Sequence, residues 1–277
     1  MTPQTTKYHI HALVRHFRRH RCVAEWVYLP VVDSTQQWAR AHFHELPHPS
    51  LVVANAQTAG RGRHGRPWWS PPDVGIYMTW VLHESQLPIA GVFWNFAATA
   101  AVYGVLRPVH GELVCKWPND LWARGRKLAG VLVELVYTKG RPGGLLIGIG
   151  LNVHPWPSTP NSSAGVIWLD ALRPGWDRTA LLRAIVHALR RAETYWSSGQ
   201  WVAYLQRWFR TAQWAPGRPI VARWQGQWVE GTIERVETDG SLWIRIAQTA
   251  HPLRLDVHTI LGFPNVSTST ACALEPQ

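Results

Sequence analysis

The sequence NAQTAGRGRHGRPWWS occupies residues 55–70, where glycine alternates with arginine before two tryptophans. The alternating residues are Gly60, Arg61, Gly62, Arg63, Gly65 and Arg66. Glycine lets the backbone approach a ligand closely, and arginine presents fork-shaped donors that suit carboxylates and phosphates. The pattern predicts a cationic loop that folds over an anion, although a solvated basic turn or a segment that contacts RNA fits this stretch equally well.

The composition bounds the size of the protein and the charge of its partners. The chain has 277 residues, 46% of them hydrophobic, which suffices for one large core or for one core with a small satellite domain. The formal net charge of +11 favours anionic partners such as nucleotides, nucleic acid or an acidic protein. The positive charge is spread along the chain, whereas a tail that binds nucleic acid carries its charge in a block.

Cysteine and histidine usage indicates a cytoplasmic protein without a recognisable metal motif. The three cysteines, Cys22, Cys115 and Cys272, are far apart in sequence, which fits a reducing compartment and argues against a disulfide framework. The fourteen histidines include neither HExxH nor zinc-finger spacing, so metal ligands are left unassigned. The uncharged run over residues 89–106 predicts a helix buried against a sheet, because it is barely long enough to span a bilayer. No membrane partner is expected.

Apolar periodicity predicts an α+β protein with an α/β-type core, in which helices pack on a mixed sheet. The predicted strands lie at 26–32, 51–55, 75–82, 113–116, 127–137 and 144–153. Helices are predicted over 7–21, after residues 33–35, and over 89–106, 179–196 and 200–208. The strands at 127–137 and 144–153 are expected to pair through a turn at 139–143.

Short β-rich runs with turn dipeptides follow residue 216 and predict a small antiparallel barrel. These runs lie at 219–224, 227–237, 241–246 and 252–257. The sequence therefore divides into a catalytic domain over 1–212, a barrel domain over 213–264 and a tail over 265–277 that is expected to be disordered.

Polar segments at the ends of predicted strands form the candidate site. They are Ser34-Thr35, Gln57 with the glycine/arginine loop, residues 116–120, and Arg126-Lys127. Walker A, GxSxG and protein-kinase motifs are absent from the sequence. The remaining pattern is a site rich in arginine and lysine, which suits the stabilisation of negative charge on phosphates and carboxylates.

These segments together resemble the biotin–protein ligases. The motifs that carry the resemblance are DST at 33–35, QxxGRGRxGRxWxSP at 57–71, KWPND at 116–120, RKLAGVLVE at 126–134 and GIGLNV at 148–153. They occur in the family's order and cover residues 26–153. The resemblance implies the core of the class II synthetase-like biotin and lipoate ligases, followed by an SH3-like barrel.

The resemblance also implies a reaction in two steps that uses ATP, biotin and Mg²⁺. Biotin's carboxylate attacks the α-phosphate of ATP to give biotinyl-5′-AMP and pyrophosphate. A lysine of a carrier protein then attacks this mixed anhydride and releases AMP. The family points to the biotin carboxyl carrier protein of acetyl-CoA carboxylase as the acceptor.

Site residues follow from the resemblance, position by position. Those implied to bind biotin are Ser34, Thr35, Gln36, Gln57, Gly60, Arg61, Gly62, Arg63, Lys127, Gly130, Gly148 and Gly150. Those implied to bind ATP are Arg63, Arg66, Trp68, Lys116, Asn119 and Asn152. The implied catalytic residues are Lys127, Arg63, Lys116 and Asp120, where Asp120 either orients the incoming amine or helps to place Mg²⁺.

Departures from the family and rival functions define what else is expected. The first ~30 residues are too few for the DNA-binding domain of the repressor-type members, so specific DNA binding is not expected. Residues 256–260 read DVHTI and lack an arginine that some members place near ATP. A lipoate or octanoate ligase or transferase of the same fold is the nearest alternative, and a basic nucleic-acid-binding module is the second. A homodimer formed through a sheet edge is left open.

Overall fold

A computed structural model describes residues 8–84, 89–156, 165–212, 214–256 and 261–262. The helices are α1 (Ile10–His20), α2 (Thr35–Ala41), α3 (Ile89–Val105), α4 (Leu169–Leu172), α5 (Arg178–Ser197) and α6 (Trp201–Thr211). The strands are β1 (Glu25–Val32), β2 (Ser50–Gln57), β3 (Gly75–His83), β4 (Leu113–Lys116), β5 (Asp120–Ala123), β6 (Arg126–Thr138), β7 (Arg141–Asn152), β8 (Pro219–Trp224), β9 (Gln227–Val236), β10 (Leu242–Ile246), β11 (Leu253–Leu255) and β12 (Leu261–Gly262).

The core is a seven-stranded mixed sheet in the order β1-β2-β3-β7-β6-β5-β4. Strands β1 and β2 are parallel, and every other neighbouring pair in this sheet is antiparallel. Helix α3 is buried against one face and contacts α5 and α6, as expected for its uncharged sequence. The predicted α+β core with a mixed sheet is confirmed.

The two faces of the central strands have different side chains because successive residues of a strand point to opposite sides. In β7, Leu145, Ile147 and Ile149 belong to the main hydrophobic core. The alternate positions Gly148 and Gly150 point to the other face, which α2 covers in part. Missing side chains at these positions leave space above the middle of the sheet.

Two sequence predictions need correction at hairpins. The turn predicted at 139–143 consists of Lys139 and Gly140 alone, since β7 begins at Arg141. Both turn residues have positive φ (50° and 75°), as in a type I′ turn, which is favoured between paired strands. The second correction is β5, which sequence reasoning missed: it pairs with β4 and places residues 117–119 in the connecting turn.

The carboxy-terminal strands form a five-stranded antiparallel sheet in the order β11-β10-β9-β8-β12. No pairing between β11 and β12 closes this sheet within residues 214–256 and 261–262, so the SH3-like barrel stays a prediction. Ile220 and Ile244 of this sheet belong to the same hydrophobic core as α6, and Trp214 packs against Trp117 with ring centroids 5.2 Å apart. The tail predicted over 265–277 lies outside the described residues.

None of the helices in the described ranges combines the length and the apolar composition that a bilayer span requires. Helix α3 is instead a buried helix of the core, because Phe93, Trp94 and Phe96 are each at most 2% exposed.

Candidate active site

A cavity of about 650 Å³ lies on the α2 side of the sheet. Its walls are the beginning of α2, strands β3, β6 and β7, the glycine/arginine loop and the β4–β5 turn. Every site residue predicted from the sequence lines this cavity except Gly60. Segments as far apart in sequence as Ser34 and Asn152 therefore meet in one place, although the role of each residue stays a prediction.

A network of hydrogen bonds between uncharged groups forms one end of the cavity. Ser34 caps α2, and the Thr35 backbone N–H donates to Gln57 Oε1 over 2.8 Å. The buried Thr79 hydroxyl lies 3.0 Å from both Thr35 Oγ1 and Gln36 Oε1. Gln36 Nε2 in turn donates to the Leu146 carbonyl over 3.1 Å. These partners fix the side-chain orientations before any ligand binds.

Glycines make the floor of the cavity. Gly130 pairs with Gly150 across β6 and β7, and Gly148 pairs with Thr79 across β7 and β3. A Cβ at Gly150 would overlap the indole of Trp68, and one at Gly148 would lie 2.7 Å from Gln36 Oε1. Only glycine therefore lets these two side chains pack so close to the sheet.

Gly60 supports the loop from outside the cavity. A Cβ there would lie 2.5 Å from the Trp68 carbonyl oxygen and 2.9 Å from Ser70 Oγ. The backbone N–H of Trp68 donates to the Gly60 carbonyl over 2.8 Å, and Gln57 Nε2 donates to Ser70 Oγ over 2.8 Å. The two arms of the loop are thus paired as a short ladder.

The loop directs its three arginines differently. Arg63 Nη1 donates to Asn119 Oδ1 over 3.1 Å, which connects the loop to the β4–β5 turn. Arg61 lies 2.8 Å from the side-chain amide oxygen of Gln37, with that amide oriented so that its nitrogen donates to Asp33. Arg66 also lines the cavity.

A cluster of charges forms the other end of the cavity. Lys127 Nζ lies 2.8 Å from Asp120 Oδ2, and both side chains are partly exposed. Lys127 Nζ also lies 5.4 Å from the ring centroid of Trp68. Lys116 Nζ lies over the Trp122 ring at 4.2 Å. Asp120 is the only acid among the described residues that line the cavity, so cations outnumber anions there.

Burial changes the ionisation of this cluster. It lowers the pKa of Lys116 to about 8; the positive charges of Lys127 and Arg66 act in the same direction, and Asp120 opposes them. Burial also lowers the pKa of Arg63, whose guanidinium nevertheless stays charged. An anionic ligand would reverse both shifts, which is how a site built for anions behaves.

Several buried polar atoms around the cavity have no hydrogen-bond partner among the described residues. They are Asp120 Oδ1, Asn152 Oδ1, Trp68 Nε1 and Trp156 Nε1. Unpaired buried polar atoms are costly, and in a cavity wall they are available to a ligand. The set contains both donors and acceptors, as recognition of a nucleotide or of a polar head group requires.

Sequence reasoning missed part of the lining. Trp156 and Val166, which follow β7 in the chain, also line the cavity. Val166 forms an isolated parallel β-bridge with Lys127. Nothing in the sequence connects residue 166 with residue 127. Leu132 and Tyr77 could have been found, because they lie two residues from Gly130 and Thr79 on strands that were predicted.

Residues 28–152 match the family described as the biotin/lipoate A/B protein ligase family. The biotin–[acetyl-CoA-carboxylase] ligase of Paracoccus denitrificans is 30% identical over 226 residues, which are 77% of this chain and 91% of that protein. The chain belongs to this family.

The chain spans little more than half the length of another relative that it matches. The bifunctional ligase/repressor BirA of Escherichia coli is 34% identical over 183 residues, which are 65% of this chain and 57% of that protein. The solved biotin protein ligase of Aquifex aeolicus, in complex with biotin and ATP, is 21% identical with a TM-score of 0.69. The superposition of the two structures covers 87% of this chain and 99% of the Aquifex aeolicus chain, which shows that the fold is shared.

Proposed function

We propose that the protein is a biotin–protein ligase, which forms biotinyl-5′-AMP from biotin and ATP and then transfers biotin to a lysine of a carrier protein. The observation that carries this proposal is the convergence of Arg63, Lys116 and Lys127 on one cavity whose opposite end is polar but uncharged. Such a cavity suits a ligand with a neutral polar head and an anionic tail. Its volume, about 650 Å³, lies within the range of ligand pockets.

The uncharged end is assigned to the ureido ring of biotin. Ser34, Thr35 and Gln57 offer both donors and acceptors there, and Gly148 leaves room for a bicyclic ring against the sheet. A lipoyl or octanoyl group has no polar head that could use these hydrogen-bonding groups. Desolvating them without replacement would cost free energy, so the site favours biotin.

The cationic end is assigned to adenylation. Two anions, the biotin carboxylate and the triphosphate of ATP, repel each other as they approach. Lys127 and Arg63 offset this repulsion and stabilise the charge that develops at the α-phosphate. Both side chains are held in place, Lys127 by Asp120 and Arg63 by Asn119, so alignment of the reactants adds to the effect.

Asp120 is the residue that would help to hold Mg²⁺ when the ion binds together with ATP. Mg²⁺ prefers carboxylate and phosphate oxygens, and Asp120 Oδ1 is a buried oxygen without a partner in the described structure. The ion would neutralise phosphate charge when bound. In the transfer step Asp120 accepts a hydrogen bond from the incoming lysine amine, which orients the amine toward the carbonyl of the adenylate.

The remaining assignments concern partners and the second domain. The acceptor is proposed to be the biotin carboxyl carrier protein of acetyl-CoA carboxylase, in the cytoplasm. The carboxy-terminal sheet is proposed to be a closed SH3-like barrel, and Trp214, which precedes it, packs on Trp117 of the β4–β5 turn. Because the β4–β5 turn lines the cationic end of the cavity, Trp214 connects the carboxy-terminal sheet to that end.

ATP–pyrophosphate exchange tests the proposed activity. Exchange is expected to require biotin and Mg²⁺, and lipoate or octanoate at the same concentration should support little of it. Exchange that follows lipoate in place of biotin would move the assignment to the lipoate branch of the family. Absence of exchange with either acid would refute adenylation by this protein.

A further inference from the structure

Helix α1, the segment that follows it and helix α5 bring three metal-binding side chains together, away from the cavity. His16 Nε2 lies 2.8 Å from His187 Nε2, and Cys22 Sγ lies 3.7 Å from His187 Nδ1 and 3.9 Å from its Nε2. The three side chains can present one ligand atom each with all of these atoms within 4.8 Å of one another. Cys22 is buried, and the two histidines are partly buried.

These distances approach those of a tetrahedral metal site. With Zn–N bonds of about 2.0 Å and Zn–S bonds of about 2.3 Å, neighbouring ligand atoms lie roughly 3.3 to 3.6 Å apart. The N–N distance would have to open by about half an ångström, which rotation of partly exposed rings allows. A nitrogen pair this close must otherwise share one proton in a hydrogen bond.

His20 lies beside this cluster. The ring centroids of His16, His20 and His187 are separated by 4.5, 5.0 and 5.8 Å. Three imidazoles around one tetrahedral ion have centroids about 5 Å apart, given the Zn–N distance. His20 is exposed and lies one helical turn after His16, so it borders the open side of the cluster.

The charge around the cluster selects among metals. Among the described residues, three arginines of α5 act on these groups with their positive charge, and they are Arg183, Arg190 and Arg191. Hard cations such as Mg²⁺ and Ca²⁺, which need carboxylate oxygens, are disfavoured there. An ion held by imidazole and thiolate is compatible with this environment, because the thiolate supplies negative charge and both ligands suit zinc.

We propose that His16, Cys22 and His187 bind a zinc-class transition metal ion, with His20 or water as the fourth ligand, and that the ion links α1 to α5. Binding replaces the thiol proton of Cys22, which is released to solvent, and uses neutral imidazole nitrogens. Burial, together with the neighbouring positive charges, already lowers the pKa of His16 and His187 and so favours neutral rings. The cluster escapes sequence motifs because residue 187 is 165 positions from residue 22.

Titration of the untagged full chain with Co²⁺ tests the site, because a cobalt–thiolate bond gives a charge-transfer band in the near ultraviolet. One equivalent is expected to bind, and Zn²⁺ should displace it while Mg²⁺ should not. Cys22→Ser should abolish the band, and His16→Gln or His187→Gln should weaken binding at least about 100-fold, since even outer-shell partners are worth 10- to 100-fold. His20→Gln should weaken binding less than either of these.

Matched controls are His11→Gln, an exposed histidine of the same helix, and Cys115→Ala, a buried cysteine elsewhere in the core. Both should bind Co²⁺ like the wild type. Circular dichroism checks that each variant is folded, and the conservative Cys22→Ser keeps the test valid if a histidine variant unfolds. A band that persists in folded Cys22→Ser, or no stoichiometric binding by the wild type, would overturn the proposal.

Discussion

The two ends of the cavity are built on different principles. At the uncharged end, Thr35, Gln36 and Thr79 are bound to one another or to the backbone before a ligand arrives. At the charged end, Lys116 has a pKa of about 8 and Asp120 keeps one oxygen without a partner among the described residues. The first end recognises shape and hydrogen-bonding pattern; the second holds positive charge that only an anion satisfies. Specificity and chemistry should therefore respond to different mutations.

The largest expected effect is that of Lys127→Ala at the charged end. Loss of a preorganised donor to a developing negative charge costs about 10²- to 10³-fold in rate, so biotin-dependent exchange should fall by that factor. Lys139→Ala, which removes an exposed lysine from the β6–β7 turn, is the matched control and should stay within about twofold of the wild type. Exchange near the wild-type rate in a folded Lys127→Ala protein would contradict its role.

Gly150→Ala should have the next largest effect, because it affects the floor that both ends share. The added methyl overlaps the indole of Trp68 and displaces this ring, which the family resemblance implies in ATP binding. We expect the KM for ATP to rise about tenfold or more, with a smaller change in biotin affinity, since overpacking costs about 1–3 kcal/mol. Gly104→Ala on α3, where a Cβ meets nothing within 4 Å, is the control. Equal losses of affinity for ATP and for biotin would argue against separate binding of the two ligands at the two ends of the cavity.

Thr79→Val should lower biotin affinity by roughly five- to tenfold and leave the KM for ATP unchanged. Valine keeps the shape but removes the hydroxyl that holds Thr35 and Gln36, a loss of about 1 kcal/mol. Thr99→Val removes a hydroxyl that bonds within α3 and serves as the control. Titration calorimetry with biotin measures the difference, and a parallel loss of ATP affinity would contradict the assignment of this network to the biotin head.

The smallest effect concerns pH. Because burial lowers the pKa of Lys116 to about 8, the free enzyme loses this positive charge as the pH rises through that value. The kcat/KM for ATP should then fall several-fold above pH 8, since kcat/KM reports groups of the free enzyme. Lys116→Arg stays charged and should move this decline to higher pH. An unchanged profile in that variant would show that Lys116 does not cause the decline.

Deprotonation of Lys116 should also change the free energy of unfolding, and it should raise this free energy while it lowers activity. The pKa of Lys116 in the folded protein lies below its unfolded value, so the unfolded chain binds more protons between about pH 8 and 10.5. Lys116 should therefore contribute an increase in unfolding free energy as the pH rises through this window, and the difference between wild type and Lys116→Arg isolates it.

Local sequence predicted most elements of the core because its strands and helices have clear periodicity. The β6–β7 pairing and the buried α3 follow from apolar runs alone, and the site motifs lie at strand ends where such folds place ligands. Periodicity did not reveal β5, because four residues between two turns give too short a pattern. It also misjudged the turn after β6, where Lys139 adopts positive φ.

Properties that depend on three-dimensional proximity were beyond the sequence. Nothing in the motif KWPND distinguishes a lysine with a pKa near 8 from an ordinary one; burial and the neighbouring Lys127 and Arg66 do so. The support of Trp68 by Gly60, the entry of Val166 into the cavity, and the meeting of Cys22 with His187 depend on contacts between distant segments.

The direct test of adenylation in this cavity is the formation of labelled biotinyl-5′-AMP from ATP labelled at the α-phosphate, with enzyme in excess and no carrier protein. We expect about one adenylate per chain, which stays bound to the wild type and disappears when a biotin carrier protein is added. Lys127→Ala should accumulate the adenylate at least about 100-fold more slowly. If the folded wild type forms no adenylate from biotin, the cavity does not carry out adenylation.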